Sequence, residues 1–164
     1  MAVDPNVSRA HMTAEVGAAI EAAPAFGWIM NPDYEALKLR VRMTAHNGDH
    51  FHLLMTFNDY REIPAAIDFE DPKTVIVGGR ASFPKGRDNF FNTTGPVICA
   101  PINLKAYKIP GQERGLHQDW AIGDWANSKA QDFNWHPYST VLGALWLIQA
   151  RLDRPQEYLG RMAV

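Results

Sequence analysis

The clearest structural signal in the chain is LKLRVRMTAHNGDHFHLLMTF, residues 37–57. Apolar and polar side chains alternate over 37–44, which is the period-2 pattern of a strand with one buried face. The dipeptide Asn47-Gly48 follows, and it is the strongest short-range signal for a hairpin turn. A returning strand is expected over 51–57. The sequence therefore predicts an antiparallel hairpin as the centre of the fold.

Weaker patterns precede and follow this hairpin. Residues 1–12 carry no periodic pattern and are predicted to be a flexible leader. The Ala-rich segment 14–23 favours a helix capped by Thr13. Turn residues bracket two further short apolar runs, which predict a third strand at 65–69 and a fourth at 75–77. Together with the hairpin, these elements predict an antiparallel β-meander.

The second half of the chain contains one more regular element. Residues 82–96 are rich in Gly, Pro, Asn and Asp, and a short apolar island at 97–101 emerges from this loop. Residues 103–134 show no regular pattern. A helix is then predicted to begin near His136-Pro137, to carry one apolar stripe and to stop at Pro155. Helix, meander, loop and helix in this order predict the α+β class.

Composition limits the classes of protein to which the chain can belong. Its 164 residues, 46% of them hydrophobic, fit one domain, expected over 13–164. The net charge of −2 and the interspersed charges give no reason to expect nucleic acid or an anionic membrane as partner. The longest apolar stretch is too short to cross a bilayer, and the N-terminus lacks the pattern of a secretory signal. We therefore predict a cytoplasmic protein.

Cys99 is the only cysteine, so any thiol chemistry must fall on it. A single cysteine cannot form an internal disulfide, which agrees with a reducing compartment. The alternative is that Cys99 is a buried small hydrophobe without chemical function, as free cysteines often are. Composition alone leaves both interpretations open.

Three histidines flank the predicted turn: His46, His50 and His52. Imidazoles are common metal ligands, but no carboxylate or cysteine completes a recognisable ligand spacing here. The alternative is a solvated turn with a polar rim. The sequence predicts neither a metal nor a cofactor.

Three segments are informative when they are taken together and in order: FHLLMTFNDY at 51–60, GPVICAPI at 95–102 and WHPYSTVL at 135–142. In this order, on a strand, a loop and a helix, they resemble the ubiquitin-conjugating enzymes. The resemblance covers about Leu37 to Pro155. It implies that family's fold: an N-terminal helix, an antiparallel β-meander, an active-site loop and a core helix. Because the chain ends soon after Pro155, the family's last helices are expected to be absent.

The resemblance also implies an activity. Cys99 would accept the C-terminus of a ubiquitin-like modifier as a thioester from an activating enzyme, and would pass it to a lysine of a protein substrate. The family's His-Pro-Asn motif is missing, and the stretch between Cys99 and Trp135 is longer than in eukaryotic members. These departures suggest a divergent, bacterial type of member.

Three further residues are candidates for the site. Asn92 is the best substitute for the missing asparagine and could donate to the oxyanion of the transfer step, or it could simply form a turn. His117, with Asp119 nearby, could deprotonate an incoming amine or support the oxyanion. The alternative for His117 is a loop held by its own hydrogen bonds and aromatic packing. Asp124 is a weaker candidate for orienting the acceptor lysine.

Two other functions remain open at this point. A non-catalytic relative of the same fold could bind a modifier or scaffold a complex, although such relatives typically lack the cysteine. A cysteine hydrolase would need a His and an Asp or Asn around Cys99, and could recruit His117 and Asp119. No Lys, Arg or His lies within five positions before Cys99, so the local sequence gives no sign of a strongly lowered thiol pKa. That absence suits an acyl carrier.

Overall fold

The computed structural model describes residues 2–108, 117–121, 125 and 138–164, without the side chains of 108 and 117–121. Its main sheet has four antiparallel strands: β1 (Ile29–Asp33), β2 (Lys38–Thr44), β3 (His50–Thr56) and β4 (Ala66–Phe69). Their order in the sheet equals their order in the chain. The predicted meander is therefore confirmed for its hairpin and its third strand.

The β2–β3 hairpin turns at Asn47-Gly48, as the sequence predicts. Thr44 pairs with His50 next to the turn, and Ala45 donates a hydrogen bond of 2.8 Å to the carbonyl of Asp49. Gly48 has φ 91°, a conformation that glycine adopts without steric cost. The apolar positions of β2 are buried on one face, as the alternation predicts.

Helix α1 (Pro5–Phe26) corrects the prediction of a flexible leader over 1–12. The side chain of Asp4 accepts from the N–H of Asn6 at 2.8 Å, and a proline occupies the first helical turn. Ser8 and Met12 are both 0% exposed, so the helix is packed against the core well before residue 13. It ends at Gly27, whose left-handed φ of 68° caps the last turn.

The predicted fourth strand over 75–77 is wrong. Val75, Ile76 and Val77 are 58%, 60% and 42% exposed, and the segment makes one isolated bridge, between Glu70 and Val77. Apolar composition alone suggested a strand there, but Val75 has φ 60°, which breaks an extended run. Residues 71–78 form a turn beside β4 instead.

Short strand pairs build the region around Cys99. β5 (Pro84–Gly86) pairs with β10 (Tyr158–Arg161), and β6 (Phe91–Asn92) pairs with β7 (Val97–Ile98), both antiparallel. A 3₁₀ helix (Leu104–Ala106) leads into β8 (Tyr107–Lys108), which pairs in parallel with β9 (His117–Ala121). These pairs replace much of the loop that the sequence predicted.

Helix α2 (Val141–Leu152) is the predicted C-terminal helix. The side chain of Thr140 caps it by accepting from the N–H of Gly143 at 3.1 Å. The predicted start near His136-Pro137 is too early, because the helix begins at Val141 and its N-cap, Thr140, has an extended backbone. α2 packs against α1 and β2, and its buried stripe joins the one large core cluster. The α+β class is confirmed, and none of the helices described has the length and apolar character that crossing a membrane requires.

Candidate functional site

Cys99 directly follows β7 and is held by the β6–β7 ladder. Its N–H donates to the carbonyl of Phe90 at 2.8 Å, which extends the ladder by one bond. Phe91 and Ile98, paired across the ladder, are 1% and 0% exposed and face the core. Because side chains alternate along a strand, Cys99 points to the opposite face. The thiol is half-buried there.

The surroundings of Cys99 favour its neutral form. Burial raises the pKa of the Cys99 thiol, and the negative charge of Asp88 raises this pKa further. Asp88 is itself paired with Arg151 at 2.5 Å. The Arg151 guanidinium also lies over the ring of Phe90, 4.8 Å from its centroid. The cysteine is thus flanked by a connected group of three side chains: Phe90, Asp88 and Arg151.

The raised pKa predicts slow thiol alkylation at neutral pH. We expect the rate of alkylation of folded protein by iodoacetamide to rise with pH and to reach half its plateau above the ordinary thiol pKa of 9.0. Asp88→Asn removes a negative charge and should lower the pKa, which should speed alkylation at pH 8 by about twofold. Mass spectrometry of samples quenched at successive times measures both rates.

The control for this prediction is Glu21→Gln, which removes an exposed carboxylate on α1 and should leave the alkylation rate unchanged. A half-plateau at or below pH 9.0 in the wild type, or a reaction in Asp88→Asn that is no faster than in Glu21→Gln, would contradict the electrostatic account.

Asn92 lies on the same face of the ladder as Cys99. It pairs with Val97, and Cys99 is two residues further along that strand, so the two residues are diagonal neighbours, which in antiparallel strands lie within roughly 7–8 Å of each other. The Asn92 side-chain oxygen accepts from the N–H groups of Thr94 at 3.0 Å and Gly95 at 3.2 Å. Asn92 is therefore a turn-forming asparagine. These bonds occupy its carbonyl oxygen and not its amide nitrogen, which is the group that an oxyanion needs.

The backbone of His117 and Asp119 lies in β9. His117 pairs with Tyr107 in the β8–β9 ladder. The Tyr107 hydroxyl donates to the carbonyl of Pro101 at 2.9 Å, which connects this ladder to the segment just after Cys99. The side chains of His117 and Asp119 are outside the described structure, as is all of Asp124, so their proposed roles stay predictions.

Asn103 is a positioning residue that the sequence analysis missed. It is 0% exposed, and its Oδ1 accepts from the N–H of Ile67 in β4 at 2.9 Å. Its Nδ2 donates to the carbonyl of Ile98 at 3.0 Å, on the residue immediately before Cys99. One amide therefore joins the main sheet to the cysteine-bearing strand. The sequence contained one signal for this role, because Asn103 is a lone polar residue directly after the apolar run 97–102.

The three histidines of the β2–β3 turn do not converge. His46 packs edge-on against Tyr158, with ring centroids 5.5 Å apart, and His50 Nδ1 lies 3.0 Å from the hydroxyl of Thr44. His52 lines a separate cavity on the sheet. In the described part of the chain, no three His, Cys, Asp or Glu side chains are grouped as metal ligands.

No protein-family model matches the chain, and no curated protein or solved structure is significantly similar to it.

Proposed function

We propose that the chain is a cytoplasmic, ubiquitin-conjugating-enzyme-like acyl carrier, with Cys99 as the acceptor thiol. The observation that carries the proposal is the position of Cys99: half-buried, at the end of a short ladder, with its backbone fixed through Phe90 and, at the preceding residue, Asn103. A carrier must hold its sulfur in a defined place without making it an aggressive nucleophile. The raised thiol pKa supports that requirement, and it disfavours a cysteine hydrolase, which needs a readily ionised thiol.

The proposed reaction has two acyl transfers. In the first, the Cys99 thiolate attacks the thioester carbonyl of a modifier carried by an activating enzyme, and the enzyme's thiolate leaves; this exchange is nearly isoenergetic. In the second, a lysine amine of a protein substrate attacks the Cys99 thioester. The tetrahedral oxyanion collapses to an amide, the Cys99 thiolate leaves, and the amine loses a proton to a base. His117 is the candidate for that base.

The test of the carrier role is reconstitution with ATP, an activating enzyme and a ubiquitin-like modifier encoded beside this gene. We expect an adduct on a non-reducing gel that reductant removes and that Cys99→Ala does not form. Cys99→Ser should give an adduct that resists reductant, because an ester replaces the thioester. If the wild type forms no adduct while its activating enzyme is loaded, the carrier role is wrong and a non-catalytic binding module becomes the better interpretation.

Asn92 provides a sharper prediction about the second transfer. Asn92→Asp keeps the acceptor oxygen that closes the turn but replaces the amide donor with a negative charge, which raises the Cys99 pKa, so loading of Cys99 should slow only by about twofold. Discharge of the loaded thioester to free lysine should slow by about tenfold, less than for a fully enclosed oxyanion site because this face is partly open. Single-turnover discharge assays measure the rate.

The matched control for Asn92→Asp is Thr94→Ala, in the same turn but with an exposed side chain. It should discharge at the wild-type rate. Equal slowing of both variants would assign Asn92 a purely structural role in the turn.

A further inference from the structure

A second candidate site lies on the sheet, apart from Cys99. A cavity of about 340 Å³ opens on the face of the sheet that carries the polar side chains of β2. Its lining includes Arg40, Arg42, His52, Glu70, Pro72 and Val75. None of these residues takes part in the proposed acyl transfer.

Strand register brings the polar lining together. Arg42 pairs with His52 across β2 and β3. The N–H of Glu70 donates to the carbonyl of His52 at 2.8 Å, so Glu70, which directly follows β4, lies beside His52. Neighbouring strands are roughly 4.8 Å apart, so these three side chains stand next to one another on one face.

Glu70 carries an unmet hydrogen-bonding requirement. The residue is 5% exposed, and its Oε1 accepts from the Nε of Arg40 at 2.7 Å. Its Oε2 is buried and accepts no hydrogen bond from any described residue. Buried acceptors are normally satisfied, so this oxygen suits a donor supplied by a ligand. Arg40 is paired with this carboxylate but its side chain is 38% exposed, so a shift of Arg40 toward solvent would open the path to Oε2.

The charges around the cavity are balanced, with two basic and two acidic side chains in the lining. Arg40 and Arg42 are opposed by Glu70 and Asp71, and Arg42 forms no ion pair within the described residues. Burial, and then the charge of Arg42, lower the pKa of His52, which keeps this imidazole neutral at pH 7. A ligand with one charge of either sign would meet repulsion on one side. A ligand with both charges would meet a partner at each end.

We propose that this cavity binds a small zwitterion, an α-amino acid with an aliphatic side chain. Its ammonium group donates to Glu70 Oε2, and its carboxylate accepts from the Arg42 guanidinium. The aliphatic side chain packs against Pro72 and the exposed Val75. Binding at this cavity does not require Cys99.

Calorimetric titration of the whole chain with L-leucine, 3-methylbutylamine and 4-methylpentanoate tests the proposal. L-Leucine should bind, whereas the amine, which lacks the carboxylate, and the acid, which lacks the ammonium group, should each bind at least about tenfold more weakly. Equal affinity for either analogue overturns the zwitterion assignment. Absence of binding up to the solubility limit of the amino acid overturns the site.

Variants locate the binding. Arg42→Gln and Glu70→Gln should each weaken L-leucine binding by about tenfold or more. Lys38→Gln, on the same face of β2 but outside the cavity lining, should not. Since Glu70→Gln also weakens the contact with Arg40, its fold is checked by circular dichroism, and Arg42→Gln decides the question if that variant unfolds. Wild-type affinity in Arg42→Gln overturns the proposal.

Discussion

Asn103→Ala is expected to lower the free energy of unfolding by about 3–4 kcal/mol, because it leaves a buried N–H and a buried C=O without partners. The N–H belongs to Ile67 and the carbonyl to Ile98, and neither can reach water without moving the strand that carries it. Lys105 also loses the acceptor for its N–H, but it is partly exposed and water can replace that bond. Urea unfolding followed by circular dichroism measures the change, with the denaturant slope kept as a check on two-state behaviour.

Two variants control for the Asn103 prediction. Asn31→Ala removes an exposed asparagine from the edge strand β1 and should change the free energy of unfolding by less than about 0.5 kcal/mol. Asn103→Asp keeps the Oδ1 acceptor for Ile67 but places a buried carboxylate oxygen against the Ile98 carbonyl, so at neutral pH it should be at least as destabilised as Asn103→Ala. A loss of stability in Asn103→Ala as small as that in Asn31→Ala would refute the role of the Asn103 amide as a clamp between β4 and β7.

The same clamp connects stability to the candidate site. The Ile98 carbonyl belongs to the peptide unit that precedes Cys99, so its release should loosen the burial of the thiol. Burial is the larger cause of the raised Cys99 pKa. Alkylation of folded Asn103→Ala, which changes no charge near the thiol, should therefore be faster than that of the wild type at the same pH. This readout separates loss of positioning from a general loss of stability.

The sequence predicted best those elements whose signals are local. The β2–β3 hairpin combines a period-2 pattern with Asn47-Gly48, and both the strands and the turn are where this combination places them. The start of α1 was missed because its buried positions, among them Ser8 and Ala19, are too small or polar to stand out as an apolar stripe. Strand β1 was missed because it contains Pro32 and exposed positions at its edge.

The site was only partly predictable for a related reason. Cys99 could be singled out from its neighbours in the sequence, and the register of β6 and β7 then brings Asn92 to the same face. The contributions of Asn103, Asp88 and Arg151 depend on contacts between segments far apart in the chain. Arg151, for example, lies on α2, 63 positions from Asp88. Such pairs have no local pattern, so composition and periodicity could not predict them.

Glu15→Ala is expected to lower the free energy of unfolding by about 2–3 kcal/mol, because one carboxylate joins three segments. Its Oε2 accepts from the hydroxyl of Tyr60 at 2.7 Å and from the N–H of Val141 at 2.9 Å, and its Oε1 pairs with Arg61. The Val141 N–H is one of the donors that a helix leaves open in its first turn, where negative charge is also favourable. Thermal and urea unfolding measure the loss.

Comparison of three variants shows which of these contacts matters. Glu21→Ala, at an exposed position of the same helix, should change stability by less than about 0.5 kcal/mol. Tyr60→Phe removes only the buried hydroxyl and should cost about 1 kcal/mol. Because Glu15 and Tyr60 share a bond, the double variant should be less destabilised than the sum of the two single variants. Strict additivity would mean that the Tyr60 bond contributes nothing, and the remaining loss would then belong to Arg61 and to the first turn of α2.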